Sequence, residues 1–182
     1  MKIKTPYQKV MQLFFSFPEK EFGLNEIVKK LKISKTTANK VITQLIKENF
    51  IKRKIIGKNW LLSNNTEHDY NKTRKIIYNL ELLYSLNILK KIENKFPGYK
   101  CIILFGSYRK GDDTEKSDVD IAVEISGEKN LEIEEFKILK QLGYRKDVQV
   151  NLHIFSRKKI SPHLFSNIAN GIILQGFLEV HK

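Results

Sequence analysis

The chain has 182 residues, of which 41% are hydrophobic, and its 33 Lys/Arg against 20 Asp/Glu give a net charge of +13 at pH 7. This hydrophobic content excludes an intrinsically disordered chain, and the length suits one ordinary domain or two small ones. No run of about 20 apolar residues occurs, which excludes a transmembrane helix. The first residues lack the apolar core of a secretion signal, and a single cysteine, Cys101, allows no internal disulfide. We therefore expect a cytoplasmic protein.

The positive charge is concentrated in the first third of the chain. Residues 1–60 carry 14 Lys/Arg and four Glu, a net +10, whereas the other 122 residues carry 19 Lys/Arg and 16 Asp/Glu, a net +3. A basic segment of this kind indicates a nucleic-acid partner. The alternative is a composition rich in lysine whose charges are merely solvated.

The first 64 residues are predicted to form three helices followed by a two-stranded hairpin. Apolar residues recur at helical spacing, Pro18 and Gly23 interrupt them, and Ser34 suits the N-cap of the third helix. Gly57 suits the turn of the hairpin. The predicted helices cover residues 5–17, 24–31 and 35–49, and the predicted strands cover residues 50–54 and 59–62.

The stretch LNEIVKKLKISKTTANKVITQLIKEN, residues 24–49, resembles the winged helix-turn-helix DNA-binding domains of small prokaryotic regulators. The resemblance implies a domain over residues 1–64 that binds double-stranded DNA, with the third helix in the major groove and the hairpin on the backbone. Polar and basic side chains of these two elements would contact base edges or phosphates. The residues implied are Lys35, Thr36, Thr37, Asn39, Lys40 and Gln44 on the helix, and Lys52, Arg53, Lys54 and Lys58 on the hairpin. The alternative is a three-helix module that binds protein.

Residues 65–96 are predicted to form a helical connector of one or two helices. They contain neither Gly nor Pro, their apolar residues recur at spacings of three and four, and Pro97-Gly98 ends the pattern. The apolar stripe could pack against its own domain or against a second copy, which would give a homodimer.

The remaining residues, 97–182, are predicted to form a mixed domain with too few βα units for a doubly wound sheet. Apolar runs predict strands, and amphipathic spacing predicts helices. The predicted strands cover residues 99–105, 119–125 and 148–155, the predicted helices cover residues 131–142 and 162–170, and a final extended stretch covers residues 172–180. The expected fold class is therefore α+β.

One motif between the first two of these strands carries chemistry. Gly106-Ser107 follows the first strand, and after ten residues Asp118-Val119-Asp120 enters the second. Side chains alternate along a strand, so the two carboxylates point to the same face, where they can bind Mg²⁺. Gly106 allows backbone N–H groups to approach an anion, and Ser107 adds a hydroxyl. Such a site suits phosphoryl or nucleotidyl transfer.

This order of elements resembles the nucleotidyltransferase superfamily that includes DNA polymerase β, and most closely its minimal nucleotidyltransferase branch. The resemblance is carried by Phe105-Gly106-Ser107, Gly111, Ser117-Asp118-Val119-Asp120 and the apolar residues that follow. It implies a mixed sheet with flanking helices in which Gly106 and Ser107 hold the triphosphate, with Arg109 and Lys110 nearby. Asp118 and Asp120 would hold Mg²⁺ and be catalytic. The reaction implied is transfer of a nucleoside monophosphate, most often AMP from ATP, to a macromolecular acceptor.

Active members of this superfamily carry a third carboxylate on a neighbouring strand, and here the match weakens. On the predicted strand over residues 148–155, alternation puts four polar residues on one face. They are Asp147, at the very start of the strand, and Gln149, Asn151 and His153. The position expected to be acidic is Asn151, with Gln149 and His153 as alternatives, and none of the three is a carboxylate. The amide oxygen of Asn151 can bind Mg²⁺ but cannot act as a base. His153 could act as a base, or be an ordinary half-buried histidine.

Three interpretations follow from the two resemblances. In the first, the chain is an active nucleotidyltransferase attached to a DNA-binding domain, as in antitoxin-like regulators. In the second, it binds a nucleotide without turnover and regulates transcription. In the third, both parts serve as scaffold in a larger assembly.

Overall fold

The computed structural model describes residues 4–179 of the chain. Within them, seven helices and two β-sheets form a mixed structure, which confirms the α+β class. The chain divides into two compact units, Met1–Lys75 with Gly143–Arg145, and Ile76–Leu142 with Lys146–Lys182. None of the helices in the described part is long and apolar enough to cross a membrane.

The first unit contains three helices and a three-stranded antiparallel sheet of order β1-β3-β2. Its large apolar side chains, among them Phe14, Phe22 and Leu45, are fully buried between the helices and the sheet. The predicted helices and hairpin are confirmed. The elements are α1 (Pro6–Ser16), β1 (Phe22–Gly23), α2 (Leu24–Leu31), α3 (Lys35–Lys47), β2 (Ile51–Ile56) and β3 (Asn59–Asn64).

Local side-chain chemistry sets the ends of these helices. Thr5 and Gln8 form a reciprocal capping box at the start of α1. Lys32, with φ of 51°, ends α2 in the left-handed conformation, and Ser34 Oγ accepts the N–H of Thr37 at 3.0 Å to begin α3. Only three residues therefore separate α2 from α3.

The predicted connector consists of two helices, α4 (Asn71–Ser85) and α5 (Ile88–Lys95). Leu83, Ile88 and Ile92 are almost fully buried in the same core as the strands of the second unit. The apolar stripe therefore packs against the chain's own sheet.

The second unit is built on a five-stranded sheet of order β6-β7-β5-β4-β8. The central strand β5 is antiparallel to β4 and parallel to β7, and β8 pairs antiparallel with the other side of β4. The further elements are β4 (Cys101–Phe105), α6 (Gly106–Lys110), β5 (Val119–Glu124), β6 (Glu132–Leu142), β7 (Arg145–Phe155), α7 (Pro162–Ala169) and β8 (Ile172–Gly176).

The prediction of a helix over residues 131–142 is wrong, because this stretch forms the strand β6. The spacing of its apolar residues fits a helix, but the stretch is followed by a two-residue connection, Gly143-Tyr144, directly to β7. Such short connections join antiparallel strands, and Gly143 has the positive φ of 62° that hairpin turns favour. Pairing with β7 therefore overrides the local pattern.

The other C-terminal predictions agree with the structure at the level of elements. The three predicted strands are β4, β5 and β7, and α7 begins at Pro162 with Ser161 as its N-cap. The last strand, β8, ends at Gly176, and the end of the predicted extended stretch lies outside the described residues. The short helix α6, which starts directly at Gly106, was not predicted.

Candidate active site

Gly106 and Asp120 lie beside each other at one end of the sheet. Phe105, the last residue of β4, is paired with Asp120 on β5, and Gly106 follows it with φ of 70°. A Cβ atom added to Gly106 would lie 2.8 Å from Asp120 Oδ2, closer than real Cβ atoms come. Position 106 therefore needs glycine both for its backbone conformation and for the approach of Asp120.

The two carboxylates stand at the start of β5, on the side of the sheet opposite the buried Val119 and Ile121. Asp118 is exposed, and the Asp120 side chain is 29% exposed. Both carboxylates are contacted by side chains of β7, which runs parallel to β5. They are thus reachable from solvent and share one face.

Two of the four side chains considered for the third position contact these carboxylates. Asn151 is paired with Asp120 in the sheet register, and its Nδ2 donates to Asp118 Oδ2 at 3.5 Å. His153 Nε2 lies 3.3 Å from Asp120 Oδ1. Gln149 instead donates to its own strand at Val150 O, and Asp147 precedes Asn151 by four residues, about 13 Å along a strand. The residue in register with Asp120 is therefore an amide.

His153 is held tightly beside Asp120. Its side chain is 13% exposed, and its ring meets Phe105 edge-on at a centroid distance of 4.8 Å. The Nδ1 atom is buried and has no hydrogen-bond partner among residues 4–179. The imidazole therefore fixes the orientation of the Asp120 carboxylate through Nε2 alone.

The donor set fits a Mg²⁺ ion that arrives with a nucleotide. Within the described part of the chain, no group of three or more His, Cys, Asp or Glu side chains is placed to hold a metal ion. Mg²⁺, however, commonly binds through one or two carboxylates and completes its shell with water and substrate phosphates. Asp118 and Asp120 would supply the two carboxylates, and the Asn151 amide oxygen would be available as a third ligand.

A pocket opens beside Gly106. It is lined by Phe105, Gly106, Arg109, Lys110, Asn167 and Asn170. The two basic residues lie on α6, and the two asparagines belong to α7 and its C-cap. Asn170 Nδ2 donates to Ser166 O at 2.8 Å, which leaves its Oδ1 available to a ligand.

Asn167 and Asn170 were missed by sequence reasoning. They are three residues apart and so lie on one face of the predicted helix, and this spacing could have indicated a polar face on that helix. Nothing in the sequence, however, connects that face with Gly106, about sixty residues earlier.

A second polar cluster lies at the other end of β5. Glu124 is 3% exposed, accepts the Cys101 thiol at 3.4 Å, and lies 3.5 Å from Arg157 Nε. Burial, and then the nearby Glu124 carboxylate, raise the pKa of Cys101 to about 12. A thiol that stays protonated is a poor nucleophile, so this cluster is structural.

The residues implied for DNA binding lie on α3 and on the β2–β3 hairpin of the first unit. Lys35, Thr36, Asn39, Lys40 and Gln44 are exposed on α3, and Lys52, Arg53, Lys54 and Lys58 are exposed on the hairpin.

Several of these side chains already have partners within the unit. Thr37 is half-buried and bonds the Ser34 cap, and Gln44 donates to Glu48 at 2.8 Å. Lys52 pairs with Glu67, and the Arg53 guanidinium stacks over Trp60 at 4.7 Å. Thr37 therefore serves the helix cap rather than an open surface.

One comparison with known proteins gives a match, and most of the matched residues belong to the second unit. Residues 85–174 match the family described as nucleotidyltransferase domain. The match includes the Gly-Ser turn, both aspartates and β7. No curated protein matches the chain.

Proposed function

We propose that the chain is a Mg²⁺-dependent nucleotidyltransferase that also binds DNA. The proposal starts from the match of residues 85–174 to the nucleotidyltransferase domain family. The C-terminal unit would transfer AMP from ATP to a macromolecular acceptor, and residues 1–64 would act as a winged helix on double-stranded DNA. The observation that carries the transferase proposal is the close approach of Asp120 to Gly106, a residue that lines a pocket together with Arg109 and Lys110.

Each residue of the site has a role in this reaction. Asp118 and Asp120, with Asn151, would hold Mg²⁺, which when bound neutralises phosphate charge. Gly106 and Ser107 would receive the triphosphate, and His153 would keep Asp120 oriented.

The pocket beside Gly106 suits the leaving group. Arg109 and Lys110 supply positive charge, and Asn167 and Asn170 supply amide groups. An acceptor hydroxyl oxygen would form a bond to the α-phosphorus as the bond to pyrophosphate breaks, and the hydroxyl proton would be released. Pyrophosphate would leave through the basic pocket.

Two features support DNA binding. The first 60 residues carry a net charge of +10, and basic side chains are exposed on both α3 and the hairpin. A role as an antitoxin-like regulator rests on the resemblance to minimal nucleotidyltransferases, and a cytoplasmic location rests on the single cysteine of the chain.

A second candidate function is a nucleotide-binding transcriptional regulator without turnover. The observation that favours it is Asn151, an amide in register with Asp120 where active members carry a carboxylate. Such a protein would bind ATP and Mg²⁺ through the same residues and transfer nothing.

A labelling experiment tests the proposal. The chain is incubated with Mg²⁺ and ATP labelled at the α-phosphate, with and without cell extract, beside Asp118→Ala/Asp120→Ala. We expect label on a macromolecule with the wild type and background with the double variant. A matched control, Asp112→Ala/Glu115→Ala, removes two exposed acids of the preceding loop and should label like the wild type.

The other outcomes distinguish the alternatives. Absence of label, together with an ATP-dependent rise in Tm that requires Asp118 and Asp120, would establish the nucleotide-binding regulator. Absence of both label and stabilisation would contradict both functions, because a ligand that binds only the folded state must stabilise it.

A further inference from the structure

Strand β6 forms an open edge of the five-stranded sheet. It has eleven residues, Glu132–Leu142, contains neither Gly nor Pro, and lies at the end of the strand order. Natural edge strands are usually short or interrupted, because a long exposed edge pairs with another strand. Here the apolar side chains Ile133 and Ile138 are 59% and 57% exposed. This edge is therefore built to accept a partner strand.

The charge order of β6 specifies which strand fits it. Acidic residues occupy its first half and basic residues its second half, as in Glu132, Glu135, Lys137 and Lys140. In an antiparallel pair centred on Phe136, Glu132 stands opposite Lys140 and Glu135 opposite Lys137, and two-fold symmetry repeats both pairs. Opposite charges across a strand pair are stabilising.

Neighbouring registers are worse. Centring the pair on Glu135 or on Lys137 sets that charge against its own copy, and like charges directly opposite are destabilising. The register centred on Phe136 also sets Ile133 opposite Leu139. We propose that two copies of this chain associate through antiparallel pairing of their β6 strands, with Phe136 at the two-fold axis.

A repulsion between two lysines within one chain supports a second copy as the partner of β6. The neighbouring Lys91 lowers the pKa of Lys137, a sign of two like charges in contact. In the proposed pair, Glu135 of the second copy would lie opposite Lys137 and compensate this repulsion. Glu132 is already paired with Lys129, but both side chains are about half exposed, and such surface pairs exchange at little cost.

The resulting dimer would have one continuous sheet and two-fold symmetry. Closed two-fold dimers are the commonest oligomers of soluble proteins, and their interfaces are self-complementary. This inference concerns association alone and does not depend on the proposed function.

Reversing the charges on β6 tests the proposed dimer. Two double variants are compared with the wild type, Glu132→Lys/Glu135→Lys and Lys137→Glu/Lys140→Glu, after thermal melting has shown that each one folds. Sedimentation of the full chain then measures the dissociation constant of each dimer. We expect each double variant alone to weaken the dimer at least tenfold. An equimolar mixture should form a heterodimer, because every opposed pair is then of opposite sign.

The matched control for net charge is Glu115→Lys/Glu128→Lys, which alters two exposed acids outside β6 and should leave the dimer intact. A wild-type chain that stays monomeric at the highest concentration accessible to sedimentation would overturn the proposal. So would a dimer indifferent to both β6 variants, or a mixture that fails to associate.

A second measurement does not depend on charge. Phe136→Cys should form a covalent dimer on mild oxidation, because each sulfur faces its own copy across the axis. Ile138→Cys is the control, since its copy would lie four residues away along the partner strand, about 13 Å. The native Cys101 is buried and does not interfere. Equal cross-linking at positions 136 and 138, or none at 136, would contradict the register.

Discussion

At the scale of single residues, Gly106 and Asp120 constrain each other. The backbone at position 106 is left-handed, and the space a side chain would need is occupied by a carboxylate oxygen. Glycine is therefore favoured at position 106 for two reasons, the left-handed backbone conformation and the nearby carboxylate of Asp120.

We predict that Gly106→Ala loses nucleotide binding as well as stability. Backbone strain at a left-handed position costs about 1–3 kcal/mol, and the new methyl group must also displace Asp120. Gly98 is the matched control, because it has φ of 86° with open space around it, so Gly98→Ala adds strain without a clash. Denaturant unfolding and the ATP–Mg²⁺ shift in Tm measure the difference. Equal losses for the two variants would show that the clash with Asp120 is unimportant.

The buried thiol of Cys101 gives a prediction on pH. Burial and Glu124 raise its pKa from an ordinary value near 9 to about 12. Between these values the unfolded chain has lost this proton and the folded chain keeps it. The stabilisation is therefore complete below pH 9 and is lost as the pH rises toward 12, by up to about 1.4 kcal/mol per pH unit.

Cys101→Ala should show a shallower loss of stability over the same range of pH, measured by urea unfolding at several values. The comparison with the wild type cancels the titration of lysines and tyrosines, which both proteins share. Parallel curves would mean that Cys101 titrates normally in the folded chain.

At the scale of elements, the sequence predicted best where the pattern is local. The helices α1 to α3 have apolar stripes, α1 and α3 also have side-chain N-caps, and all three helices were predicted. Strand β6 was missed because Leu131, Phe136, Leu139 and Leu142 also fit helical spacing, and only its pairing with β7 decides between the two. The five-residue helix α6 is too short to show any periodicity.

The same distinction holds for the candidate site. The Gly-Ser and Asp-x-Asp motif lies within fifteen residues, and strand alternation was enough to bring Asn151 and His153 into consideration. Their contacts with Asp118 and Asp120 depend on the parallel register of β5 and β7, which no local pattern encodes. The face of α7 that carries Asn167 depends in the same way on tertiary packing.

At the scale of the whole molecule, charge is divided unequally along the chain. Residues 1–60 hold a net +10 of the total +13. If this charge serves DNA binding, the affinity must depend steeply on salt, because bound phosphates release their counterions.

We predict a slope of about −5 for the logarithm of the binding constant against the logarithm of salt concentration, from about six phosphate contacts. The six cations are Lys35, Lys40, Lys52, Arg53, Lys54 and Lys58. Fluorescence anisotropy with duplex DNA measures the slope, and Lys54→Ala/Lys58→Ala should reduce its magnitude by about 2. Lys158→Ala/Lys159→Ala, which removes two exposed lysines of the other unit, should leave it unchanged. A flat salt dependence would favour a protein-binding role for these residues.

The pairing of β8 with β4 has a consequence for how the protein is made. Residues 172–176 pair with the side of β4 that β5 leaves free. Strand β4 ends at Phe105, so this second partner is synthesised about seventy residues later. The helices and hairpin of the first unit, by contrast, come from residues 6–64 and can close early in translation. An unpaired, wholly apolar strand such as CIILF promotes aggregation of partly folded chains. Ribosome stalling or truncation before residue 172 would therefore yield a chain whose first unit is folded and whose second is prone to aggregate.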